Sequence, residues 1–325
     1  MRHMTVKHLS ILFLVLASML AVEGQQQRNG GRAPNPTDEQ IRQRLPEGVT
    51  FEANIAYREG NEAWKLDLAM PSEPGDGPRP ALVFIHGGGW RNGDKRAAGF
   101  LNPTLSYAAK GYVCITVNYR LLNNGSAGID DGSTGIDNCV EDVKNAVRWL
   151  RANADKYNVD PDRIGATGNS AGAHLSAMLG LSPQDAGLEG DGPYQDFSSA
   201  VQAVVASATP TSFLIPMSER AKERFEREAR DPDASRNALR KKISPVTYVS
   251  AEVPPMLLFH EESDRTVGVY QSDTFVHALR KAGANGVNYV LFGDGTGHGT
   301  FRANIGVTEA MREAFFARTL KHEGE

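Results

Sequence analysis

The stretch Gly168-Asn169-Ser170-Ala171-Gly172 sets a serine between two glycines in the pattern G-x-S-x-G. A serine hydroxyl is a weak nucleophile until a base takes its proton, so chemistry at Ser170 requires a histidine and, behind it, a carboxylate. RIGATG (163–168) reads as a short strand, and SAGAHLSAMLGL (170–181) as a helix that follows without pause. That context gives the pattern its meaning. The turn is so tight that the residues flanking the serine must be small, and the hydroxyl is held at a helix N-terminus whose dipole favours developing negative charge.

Eight histidines are available as the base. His3 and His8 lie in the extreme N-terminus, His86 precedes a run of glycines, and His174 sits on the elbow helix. His260 ends a strand, His277 is mid-helix and His322 is in the charged tail. His298 remains, in the glycine-rich loop FGDGTGHGTF (292–301) after the last strand, VNYVLFG. Such a loop can bring a side chain back over the carboxyl edge of a sheet, where α/β folds place their ligands. The acid should follow the next-to-last strand, where PMLLFHEESDRTV (255–267) supplies Glu261, Glu262 and Asp264. Asp264, a short carboxylate a few residues past the strand end, is the choice for orienting the imidazole. Glu262 is its competitor, and Asp294, on the loop of His298, reads as a turn residue.

A third feature is VFIHGGGWRNGD (83–94), in which a buried-type strand runs into three consecutive glycines. Glycines surrender much chain entropy on folding, so this stretch either makes a sharp turn or lets a ligand reach the peptide N–H groups.

Together these residues resemble the α/β-hydrolase fold, and within it the HGGG-type esterases akin to the hormone-sensitive-lipase group. The likeness is to the bacterial feruloyl/acetyl-xylan esterase-like (BD-FAE) branch and covers about residues 50–320. It rests on HGGGW, on EDVKNAVRWLRANADKYNVDPDRIGATGNSAGAHLSAMLG, on ISPVTYVSAEVPPMLLFHEESDRTV and on GHG, in that order along the chain. The resemblance implies Ser170 as nucleophile, Asp264 as acid and His298 as base. It also implies an oxyanion hole made by the backbone N–H groups of Gly88, Gly89 and Ala171, where a side chain at Gly88 or Gly89 would obstruct the approach. His86 then scaffolds the loop, and Trp90 either walls the substrate pocket or packs beneath the loop. The family usually reads H-G-D-x-D after the acid-bearing strand. Here the order is His260-Glu261-Glu262-Ser263-Asp264, with the final Asp in place.

The implied activity is hydrolysis of carboxylic esters, with acetyl or feruloyl esters of plant polysaccharide as candidate substrates and no metal or cofactor. An arylformamidase-like amidase also satisfies H-G-G-x-W at His86 to Trp90, although export speaks against it. A prolyl-oligopeptidase-like peptidase shares the elbow but normally carries a large extra domain, and a catalytically dead hydrolase used for binding would not need the motifs kept here.

The elements that must position these residues alternate. TFEANIAY (50–57) and AWKLDLAM (63–70) form a hairpin with one exposed face. ALVFIH (81–86) and YVCITVNY (112–119) read as strands buried on both faces, and AVQAVVASA (200–208) as another. Helices are expected at 142–157, 271–283 and 306–320. About eight strands, mostly parallel, flanked by helices, make a single α/β domain over 49–325. Residues 25–48 read as a flexible lead-in with a short helix at TDEQIRQRL. In 212–243, MSERAKERFEREAR carries Met217, Ala221, Phe225 and Ala229 every fourth residue, the stripe of a solvated helix resting on the body or of a small cap over a pocket.

The 325 residues carry a net charge of −4, which offers nucleic acid no electrostatic attraction. ILFLVLASMLAV behind Arg2 and Lys7 is too short for a comfortable span and suits a signal-peptide core. Cleavage after Gly24 would leave a periplasmic or secreted protein without stable membrane insertion; an uncleaved anchor is the alternative. Two cysteines, Cys114 and Cys139, cannot make a disulfide framework. Two free buried thiols and a single bridge both fit.

Overall fold

Runs of β-branched and apolar residues bounded by glycine and polar turns become the strands of one sheet. The computed structural model describes residues 34–122, 135–229 and 234–321. The segment 1–24, expected as a signal, and the first part of the lead-in lie outside the described residues. The strands are β1 (Val49–Ala56), β2 (Lys65–Pro71), β3 (Arg79–Ile85), β4 (Val113–Val117), β5 (Val159–Asn169), β6 (Ala203–Ser207), β7 (Met256–Glu261) and β8 (Val287–Phe292). They lie in the order β1-β2-β4-β3-β5-β6-β7-β8. β2 pairs antiparallel with β1 and β4, and every other pairing is parallel.

Among the described residues the α-helices longer than one turn are α1 (Asp38–Arg42), α2 (Ala98–Ala109), α3 (Ile136–Ala152), α4 (Ala171–Leu181), α5 (Lys222–Ala229), α6 (Ala234–Lys242), α7 (Tyr270–Lys281) and α8 (Ile305–Phe316). The two-residue period of β3 feeds two separate cores. Ala81, Val83 and Ile85 pack with Val143 and Leu150 of α3, Leu175 of α4 and Phe275 of α7. Leu82 and Phe84 face the other way, against Leu101 and Leu105 of α2 and Phe315 and Phe316 of α8.

Several elements differ from expectation. α3 starts at Ile136, where the Asn138 side chain accepts the Gly135 N–H, and it ends at Ala152 before one further turn, Ala154–Tyr157, rather than running unbroken to 157. α2 escapes the sequence reading because Pro103 stands inside it. The lead-in is also shorter than expected. Thr37 caps α1 in a reciprocal box with Gln40, Ile41 is fully buried, and the folded unit runs from Thr37 rather than from residue 49. Cys114 on β4 and Cys139 on α3 are both free and buried.

Parallel pairing aligns the strand ends. Ile85 is level with Gly168, Asn169 with Ser207, and Glu261 with Phe292. The loops carrying the three glycines, Ser170, Asp264 and His298 therefore leave the sheet at one edge. The glycine loop is tied down beyond its tip by a buried charge cluster. Lys95 Nζ lies 2.7 Å from Asp67 Oδ1 and 2.9 Å from Asn54 Oδ1, and Arg96 Nε lies 2.7 Å from Asp67 Oδ2. Asp67 is wholly buried and Lys95 nearly so. Burial pulls the Lys95 ammonium below its usual range, and Asp67 opposes this.

Removing one partner of a buried ion pair strands the other charge, at about 3–5 kcal/mol. Asp67→Ala is expected to lose that much stability in urea unfolding, whereas removing the exposed pair Lys65–Glu62 by Glu62→Ala should cost under about 1 kcal/mol.

Candidate active site

Ser170 sits between β5 and α4 with φ 54° and ψ −121°, a strained conformation that turns its side chain out of the chain's path. Its N–H bonds the Ser207 carbonyl at 2.9 Å. The turn closes only because its neighbours lack side chains. A β-carbon on Gly172 would lie 2.1 Å from the Ile85 oxygen, and one on Gly168 would lie 2.4 Å from the Gly172 carbonyl carbon. The elbow is thus pressed against the end of β3.

Across the sheet edge, His298 Nε2 is 2.9 Å from Ser170 Oγ, and His298 Nδ1 is 2.8 Å from Asp264 Oδ2. The carboxylate accepts at Nδ1, so Nδ1 carries a proton and Nε2 faces the serine. Asp264 is held in turn: Oδ1 accepts the N–H groups of Thr266 at 2.8 Å and Val267 at 3.0 Å, and His260 Nε2 lies 3.4 Å from Oδ2. His260 is fixed between Ser272 Oγ at Nδ1 and the Val267 carbonyl at Nε2. Burial would raise the Asp264 carboxyl, but the bonds from His260 and His298 outweigh it and hold the group well below its ordinary range. A depressed carboxyl stabilises the fold above its ordinary value, and that contribution is lost as pH falls below about 3.9.

The sequence therefore finds the residues that meet here. Glu262, the competitor for the acid, is exposed and lies near Gly293 rather than on His298. Asp294 is the turn residue expected, accepting from Thr296 N and Oγ1. Sequence reasoning missed His260 as a partner of Asp264, and it missed Glu261, which binds both loops. The only signal was the density of acids in HEESD.

The glycine loop lies against the serine. A β-carbon on Gly87 would sit 3.5 Å from Ser170 Cβ and 2.7 Å from the Asn169 oxygen. Among the described residues no backbone carbonyl accepts the N–H of Gly88 or Gly89, and Ala171 opens α4, where the first N–H groups have no partner within the helix. The two glycines differ in what surrounds them. Gly88 has φ +119°, and its β-carbon would meet the Asn92 oxygen at 2.0 Å, so the turn itself demands glycine there. Gly89 has φ +62° and a β-carbon there would meet nothing within 4 Å.

His86 scaffolds the loop. It is buried, stacks on Tyr119 with centroids 4.3 Å apart and donates from Nδ1 to the Gly87 carbonyl, while Tyr119 OH donates to the His86 carbonyl at 2.8 Å. Trp90 packs beneath the loop. Its indole N–H donates to His174 Nδ1 at 3.3 Å, and its ring packs on Phe213. Burial pushes His174 down to about 4, against the pull of its bond to the Ile243 carbonyl, which keeps it neutral and able to accept from Trp90. Trp90 also lines a cavity of about 230 Å³ with Gly89, Leu122 and Phe213. Met217, Ala221 and Phe225, three members of the stripe at 212–243, line the same cavity. Among the described residues no group of three or more His, Cys, Asp or Glu side chains could hold a metal ion, and no helix is long and apolar enough to cross a membrane.

Comparisons with known proteins show the family and the fold. The BD-FAE family model matches residues 66–279. The probable carboxylic ester hydrolase LipM of Mycobacterium tuberculosis is 31% identical over 272 residues, which are 80% of this chain and 58% of LipM. The chain thus spans little more than half the length of that relative. Among solved structures, Thermogutta terrifontis esterase 2 phosphonylated by sarin superposes with a TM-score of 0.66 at 28% identity, covering 84% of this chain and 96% of that one. Its propionate-bound form gives 0.64 at 28% identity, with the same coverage.

The two glycines should respond differently to alanine. Gly88→Ala must displace the Asn92 carbonyl, and turnover of an ester substrate should fall by about 10²-fold or more. Gly89→Ala carries only the left-handed strain of about 1–2 kcal/mol and should keep activity within about tenfold. Steady-state kinetics of the two variants side by side checks this.

Proposed function

Because the chain belongs to the BD-FAE family, we propose that it is a serine hydrolase of carboxylic esters working through an acyl-enzyme on Ser170. The observation that carries this reading is the continuous relay from Ser170 Oγ through His298 to the buried Asp264. Ser170 attacks the ester carbonyl as His298 Nε2 takes its proton. Asp264 keeps the imidazole in the tautomer that leaves Nε2 free to accept, and it stabilises the imidazolium that forms. The N–H groups of Gly88, Gly89 and Ala171 receive the oxyanion, each such donor being worth about 10²–10³ in rate. His298 then protonates the leaving alcohol, and water releases the acid by the same steps in reverse.

The substrate we infer is a small-molecule or saccharide ester with a short or aromatic acyl group, such as acetyl or feruloyl. The aromatic-walled cavity of about 230 Å³ beside Gly89 supports this, as does a propionate-bound relative. In this reading 212–243 is a cap on that cavity. The charged and apolar N-terminal segment further supports export to the periplasm or medium.

Three measurements test the proposal. Ser170→Ala should lower kcat on p-nitrophenyl acetate by at least about 10⁴-fold, and a variant with wild-type turnover refutes the nucleophile. Asp264→Asn should cost about 10⁴-fold by inverting the tautomer preference. N-terminal sequencing of protein recovered from outside the cytoplasm should begin at Gln25.

A further inference from the structure

Glu261 ends β7, where its side chain is almost entirely shielded from water, yet it does not touch the relay. Its carboxylate instead stands where two loops cross. Oε2 accepts the Ser263 N–H at 2.8 Å and the Ser263 hydroxyl at 2.5 Å, both on the loop that carries Asp264. The same oxygen accepts the Gly297 N–H at 2.9 Å, and Oε1 accepts the Gly295 N–H at 3.1 Å, both on the loop that carries His298. Gly297 is the residue immediately before His298. Gly295 and Gly297 have φ of +76° and +60°, so the peptides that turn their N–H groups toward the carboxylate depend on a left-handed backbone that glycine adopts readily. Burial would raise the Glu261 carboxyl, and these four bonds overcome it and lower the group.

We propose that Glu261 is a positioning residue that bolts the base-bearing loop to the acid-bearing loop and so sets the register of His298 between Asp264 and Ser170. The inference rests on the serine-hydrolase reading above. The loop 293–299 is glycine-rich, and a flexible chain of this kind would otherwise lose conformational entropy each time the imidazole is placed. A single buried anion that accepts from both loops removes that freedom before substrate arrives. Glutamine cannot replace it. An amide offers one acceptor oxygen, so its NH₂ group would face either the N–H of Gly295 or the donors of Ser263 and Gly297.

The test compares wild type, Glu261→Gln, Ser263→Ala, Glu262→Gln and Ser170→Ala on p-nitrophenyl acetate, with thermal unfolding of each. Glu261→Gln should lower kcat about 10- to 100-fold, the scale of a misplaced catalytic group, with KM within about twofold. Ser263→Ala, which removes one bond to the carboxylate, should lower kcat a few-fold in the same pattern. Glu262→Gln, which removes the neighbouring exposed charge, should match wild type. If Glu261→Gln does not fold, Ser263→Ala decides: a fall in kcat alone supports the proposal, and a wild-type kcat overturns it. A kcat of Glu261→Gln within about twofold of wild type, or a change confined to KM, also overturns it. Activity surviving in Ser170→Ala would instead remove the serine reading itself, and the positioning role with it.

Discussion

A β-carbon on Gly172 would lie 2.1 Å from the carbonyl oxygen of Ile85, and that close approach of the serine elbow to the end of β3 is what the rest of the site depends on. It brings the glycine loop that leaves β3 against Ser170. Parallel register does the remainder, because β7 and β8 end level with each other and deliver the acid and the histidine from the opposite side. The geometry of the sheet thus replaces any need for the three side chains to be near in sequence. Backbone strain at Ser170 is tolerated because the strands on both sides over-determine it.

Around that contact the protein buries charge rather than avoiding it. Asp264 stays ionised in a dry position because four groups converge on it: His260, His298 and the N–H groups of Thr266 and Val267. Asp67 pairs with Lys95 and Arg96 beyond the glycine loop, and Glu189 with Lys144 and Arg148 on α3. Such clusters add little net stability compared with apolar packing, yet each is costly to break. They are suited to holding loops in one arrangement, and all three stand where a loop must be fixed against a regular element.

What the sequence could and could not show follows from the range of the interactions. The strands, the elbow and the choice of Ser170, Asp264 and His298 were legible because period, glycine placement and strand ends are local signals, and these residues do converge. α2 was hidden by Pro103, and the docking of the short helix expected within 37–45 rests on one buried residue, Ile41, that no local pattern marks. At Gly88 the Asn92 carbonyl leaves no room for a β-carbon, a constraint that only the folded turn reveals. Glu261 and His260 looked like extra acids and a strand-end histidine, since their partners lie on loops that only tertiary contact brings together.

The central claim, an acyl-enzyme on Ser170, is tested most directly by trapping it. The protein mixed with a p-nitrophenyl ester and quenched in acid within the first turnover should gain the mass of one acyl group, and peptide mapping should place that group on Ser170. An absence of adduct despite full turnover, or an acyl group on any other residue, would contradict the account.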